Sequence, residues 1–96
     1  MSDYIFEVTD KTGRRIHLSS ERWNGHIRIE HPNVEEDEIK LTLQKPMKII
    51  DKGKNKYFYY QYFKHKKLSS KLLCVIVKYL NGDGFVISAY FVRHIS

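Results

Sequence analysis

The apolar and polar positions alternate in short runs at both ends of the chain and take a helical period between them. Tyr4 to Val8 and Arg14 to Leu18 follow the two-residue repeat of half-buried strands. Asp10-Lys11-Thr12-Gly13 between them is turn chemistry. Ser19 and Ser20 are both suited to cap a helix, and Glu21 suits its positive end. That helix should reach about Glu30, because Pro32 disfavours helical geometry at His31. Trp23 and Ile27 form its inward stripe, while Arg22, His26 and Glu30 share another. Asn24-Gly25 weakens its centre by about 1 kcal/mol relative to alanine.

A second helix is predicted over Val34 to Gln44, with the acids Glu35 to Glu38 in its first turn and Ile39 and Leu43 buried. Lys45-Pro46 ends it. Four strands follow: Met47 to Asp51, Lys56 to Phe63, Leu72 to Tyr79 and Phe85 to Val92. The last two are joined by the hairpin sequence Asn81-Gly82-Asp83-Gly84. Both faces of the second and fourth are mostly apolar or aromatic, which predicts central strands. Helices first and then an antiparallel meander make an α+β domain. Strict alternation puts Val86, Ser88, Tyr90 and Val92 on one face of the last strand.

Charge divides the chain almost in two. Met1 to Gln44 holds 6 Lys/Arg against 9 Asp/Glu, and Lys45 to Ser96 holds 11 against 2. Most of the aromatic residues also lie in the basic half. Cations neutralise phosphates and ring faces stack on unpaired bases, so this pairing points first to nucleic acid. The chain's 96 residues make one domain, and 42% hydrophobic content argues against disorder. No apolar run approaches a bilayer span, and the first residues lack the layout of a secretory leader. Cys74 alone cannot form an internal disulfide, so a reduced core thiol and a cytoplasmic location are expected.

The densest chemistry lies between Trp23 and Pro32. Glu30, one turn beyond His26, can hold its imidazole and favour the protonated form. His26 and His31 would stand about 140° apart on a regular helix. They serve one site only if the helix stops before His31, as Pro32 favours; the alternative has His31 capping carbonyls at the helix C-terminus and His26 exposed. Ser88 and Tyr90 form a hydroxyl pair on an otherwise apolar strand: a site wall, or a satisfied serine beside a core tyrosine. Arg93 and His94 follow within reach of a phosphate. In the aromatic strand Lys56, Phe58, Tyr60, Tyr62 and Lys64 share the face expected to stay open. Lys64-His65-Lys66-Lys67 is then a solvated loop or a backbone clamp. Five histidines and one cysteine show no zinc-type pairing, and phosphate-cradling and dinucleotide glycine motifs are missing. Neither metal nor cofactor is expected, which leaves general acid–base chemistry with cationic stabilisation of an anion.

Several of these segments together resemble the small phage-associated barnase–EndoU–colicin–RelE-like (BECR-fold) nuclease families. They are Ser20-Glu21-Arg22-Trp23 leading to His26-Ile27 and His31-Pro32, then Leu43-Gln44-Lys45-Pro46, Lys56-Tyr57 and Val86-Ile87-Ser88-Ala89-Tyr90. The resemblance runs from about Ile16 to Tyr90. It implies two N-terminal helices packed on a four-stranded antiparallel sheet, with the cleft on the open side of that sheet; the short N-terminal hairpin, Tyr4 to Leu18, is read from the residues and lies outside the resemblance. It further implies metal-independent RNA cleavage, often by a toxin or phage-encoded effector, and an acidic antitoxin or immunity-type partner. By position His26 and His31 match the helix histidines of those families. Ser88 matches a hydroxyl usually supplied by threonine, and Tyr90 a neighbouring aromatic.

The resulting expectation is a small endoribonuclease that leaves a 2′,3′-cyclic phosphate and spares DNA. His26 is general base or acid, with His31, Ser88 and Tyr90 beside it. Lys56 and Arg93 stabilise the phosphate charge, Tyr60 stacks on a base and Lys64 holds the backbone. The alternatives are a non-catalytic RNA- or single-strand-binding module and a domain that binds an acidic protein.

Overall fold

The computed structural model describes residues 3–10, 12–67 and 69–95. Strands β1 (Tyr4–Thr9) and β2 (Arg15–Ser19) come first, then a helix over residues 20–30 and a second helix (Glu36–Gln44). Strands β3 (Lys48–Asp51), β4 (Lys56–Tyr62), β5 (Leu72–Leu80) and β6 (Asp83–Val92) complete the order. The expected turn at 10–13 includes Lys11, which lies outside the described residues. Around it, the Asp10 carboxylate accepts from the backbone N–H groups of Thr12 at 2.9 Å and Arg14 at 3.0 Å.

The sheet differs from the expected one. In place of a four-stranded antiparallel sheet with the hairpin apart, all strands join one six-stranded mixed sheet in the order β1-β2-β6-β5-β4-β3. With only two short helices, the fold is mostly sheet. The cause is a parallel pairing of β2 with β6 at Ile16↔Gly84 and His17↔Phe85. Ile16 and Leu18 are fully buried, and seating β2 on the β6 edge both covers them and closes that edge. A contact between segments so far apart in sequence leaves no local periodicity to read.

The helices pack on one face of the sheet. Trp23, Ile27, Ile39 and Leu43 meet Leu73, Val75, Val77 and Ala89 there in a continuous core. The far face is not bare. Tyr60, Leu72 and Cys74 are buried among Ile50, Phe58, Ile76, Tyr90, Val92 and Ile95 in a smaller cluster. A second correction concerns β6. Pairing jumps from Ile76↔Ser88 to Val77↔Val86, so Ile87 is an extra, bulged residue. Val86 therefore turns into the helix-side core, while Ser88 and Tyr90 stay on the far face opposite Ile76 and Cys74.

A polar chain pins the first hairpin to β5. Tyr59 and Tyr79 hydroxyls lie 2.6 Å apart, the Tyr79 hydroxyl donates to Asp10 at 2.8 Å, and the Arg14 guanidinium sits 3.8 Å over the Tyr79 ring. Burial alone would raise the Asp10 carboxyl, but the hydrogen bonds from Thr12, Tyr79 and the Arg14 and Thr12 amides outweigh it and hold its pKa below the ordinary value. Its negative charge keeps this corner of the molecule together.

Candidate active site

The first helix begins where Ser19 Oγ accepts the Arg22 N–H at 3.0 Å. Its middle, Trp23–Ile27, is a π turn closed by the Arg28 N–H on the Trp23 carbonyl. It stops at Glu30: His31 has φ −132° and ψ 65°, outside the helical region. This stop swings His31 back toward His26. Their ring centroids are 5.9 Å apart, so the two imidazoles converge as one site requires.

β2 covers the β6 edge only up to Phe85, and the first helix lies against β6 beyond that point. The histidines thus meet the strand at its unpaired edge. His26 Nδ1 is 2.5 Å from Glu30 Oε2, and its Nε2 is 3.3 Å from Ser88 Oγ. The His31 ring packs at 5.5 Å from the Tyr90 ring. All four residues expected to be catalytic therefore gather in one place. With Glu30 accepting the Nδ1 proton, Nε2 is the nitrogen left toward Ser88. The His26 side chain is 30% exposed, so solvent and ligand can reach it. Burial, with a smaller contribution from Cys74, pushes the Tyr90 hydroxyl above its ordinary pKa. It stays a proton-bearing donor at neutral pH. A depression of about 300 Å³ bounded by Glu30, His31, Pro32, Ser70 and Tyr90 opens beside the pair.

The expected substrate-binding residues fare unevenly. Lys56 is exposed and sits on the far face, where its cross-strand partner is Lys78. Tyr60 is only 2% exposed, so its ring cannot stack on a base; that expectation is corrected. β3 and the C-terminal Ile95 help cover it. Two residues along the same face Tyr62 is 53% exposed and offers the ring that Tyr60 does not. Lys64 and Arg93 are exposed, and neither touches the histidine pair through a hydrogen bond or an ion pair among the described residues. In the basic loop Lys66 is tied to the second helix, 3.2 Å from Glu35 and 3.1 Å from Glu38.

Lys78 is the residue that sequence reasoning missed. Its partner on β6 is Phe85, and Ser88 lies three residues further along that strand, beyond the bulge and opposite Ile76. Only the register reveals this. Lys56 and Lys78 also face each other directly, and like charges so placed repel unless an anion lies over them. Cys74 is buried and keeps its proton at neutral pH. Burial pushes its thiol up to about 11 against the opposing Tyr60 hydroxyl and Lys52 charge. Among the described residues no cluster suited to a metal ion occurs, and no helix is long and apolar enough to cross a membrane. No family model matches the chain, and neither a curated protein nor a solved structure is significantly similar to it.

Proposed function

We propose that the protein is a small endoribonuclease working by general acid–base catalysis. The line Glu30–His26–Ser88, opening onto His31 and Tyr90, carries this reading. His26 Nε2 takes the proton of a ribose 2′-hydroxyl, and the freed oxygen attacks phosphorus. The P–O5′ bond breaks as His31 returns a proton to the departing 5′-oxygen, leaving a 2′,3′-cyclic phosphate. Ser88 and Tyr90 donate to the phosphate oxygens, and Lys78 with Lys56 supplies positive charge as the anion develops. Tyr62 offers a stacking face for a base. The basic half of the chain and its unpaired thiol are in keeping with a cytoplasmic protein and an acidic, antitoxin-type partner.

Brief incubation with total RNA should yield fragments with 2′,3′-cyclic ends, while single-stranded DNA survives because it has no 2′-hydroxyl. Intact RNA at high protein concentration would sink the proposal. The lysine pair makes a separate prediction. Lys56→Gln and Lys78→Gln should each lower the log–log salt slope of RNA binding by about 1, without lowering the melting temperature. A drop in melting temperature would show that the pair supports the fold and not a ligand.

A second reading is favoured by the same three atoms. Serine, histidine and carboxylate in line also describe an activated nucleophile. Ser88 would then form a covalent ester, and a fluorophosphonate reagent would label it. Ser88 is only 9% exposed and lies within a strand, which favours the first reading. Ser88→Ala separates the two: roughly tenfold loss on RNA in the first, abolition with no labelling in the second.

A further inference from the structure

The first helix has a second concave side. Ser19, Glu21, Arg22, Gly25 and His26 line a cleft of about 440 Å³, within the size range of small-ligand sites. Gly25 stands in the middle of this helix, where glycine is the least favourable residue after proline. Its backbone does not call for it, since its φ is not positive. Packing does not call for it either: a Cβ built there meets no protein atom within 4 Å. Gly25 lines the cleft, and open space stands where its side chain would be. The π turn is centred on the same residue, and such turns recur at functional sites.

The charges in the cleft agree. Arg14, Arg15 and Arg28 are held by Asp10, Glu7 and Asn24 respectively. Arg22 makes no side-chain hydrogen bond or ion pair among the described residues. Beside it Glu21 is an acceptor only, suited to a hydroxyl and repelling a second phosphate. His26 is the wall shared with the reaction site, so an occupant of the cleft adjoins the group on which His26 acts.

We infer that this cleft is a second subsite, holding the nucleotide next to the scissile phosphate. Arg22 takes the phosphate of that nucleotide, Glu21 its ribose hydroxyl, and the bare backbone at Gly25 lets the sugar approach. The identification of the ligand rests on the ribonuclease reading; the presence of a nucleotide-sized site does not.

Gly25→Ala and Gly25→Leu test it. Alanine removes a helix-weakening residue without a clash and should raise the melting temperature by about 2–6 °C. Leucine fills the cleft. It should raise KM for a hexaribonucleotide roughly tenfold while kcat stays within about twofold. Affinity for the 2′-O-methyl hexanucleotide, which offers no attacking hydroxyl, should fall by the same factor. Alanine should move both in the same direction by less. Unchanged KM and unchanged analogue affinity in folded Gly25→Leu would overturn the subsite and leave the cleavage reading intact. Conversely, a wild type that cleaves nothing, yet loses analogue affinity on Gly25→Leu, would end the ribonuclease reading and uphold the subsite.

Discussion

Replacing His26 with alanine is expected to lower kcat/KM on RNA about a thousandfold while leaving the protein folded. The magnitude follows from the role. A positioned acid or base contributes on the order of 10²–10⁴ to a proton-transfer step, and in the proposed mechanism His26 Nε2, which meets Ser88 Oγ, is the base. Retention of the fold follows from its surroundings. The His26 side chain is partly exposed, and the buried stripe of the same helix is carried by Trp23 and Ile27. Glu30→Gln should do less, roughly tenfold, because a neutral amide can still accept the Nδ1 proton but no longer stabilises the imidazolium. The ratio between the two variants is informative. If Glu30→Gln were as damaging as His26→Ala, the carboxylate would itself be handling the proton. Equal RNA loss by wild type and His26→Ala would mean that another nuclease contaminates the preparation.

Much of this site could be read in the sequence because its parts are local. His26 and Glu30 are one helical turn apart, and Pro32 announced the helix end that lets His31 turn back. The outlines of the strands were legible for the same reason, since alternation is a property of neighbours. What stayed hidden was each feature decided across the sheet. The bulge at Ile87 breaks the alternation that placed Val86 beside Ser88, and nothing in Phe85-Val86-Ile87-Ser88 marks it. Tyr60 and Tyr62 are chemically alike at equivalent positions, yet one is covered and the other is not. That Lys78 stands directly across from Lys56 shows only in the register. The parallel contact of β2 with β6 is the extreme case, and it turned a supposed appendage into two strands of the sheet.

That contact has its own large expected effect. Gly84→Ala should destabilise the protein by about 2–3 kcal/mol and lower its melting temperature by about 10–20 °C. A Cβ at position 84 would lie 2.8 Å from Tyr79 Cε1, 3.0 Å from Val77 Cγ1 and 3.1 Å from Ile16 Cγ1. Backbone geometry is not the obstacle, for this glycine has no positive φ. Space is. The Tyr79 ring cannot turn aside easily, because its hydroxyl is held by Tyr59 and Asp10 and its face by Arg14. Val77 is fully buried in the middle of β5. The remaining way out is for Ile16 to retreat, and Ile16 is the residue that pairs with Gly84 across the parallel contact. Its retreat would pull β2 from β6. The first helix starts directly after β2, so His26 would move with it, away from Ser88. Activity should therefore fall at temperatures where the variant is still folded, which a simple loss of stability would not produce. A melting temperature within about 2 °C of wild type would show that β2 is not seated on β6, and with it would go the placement of both histidines.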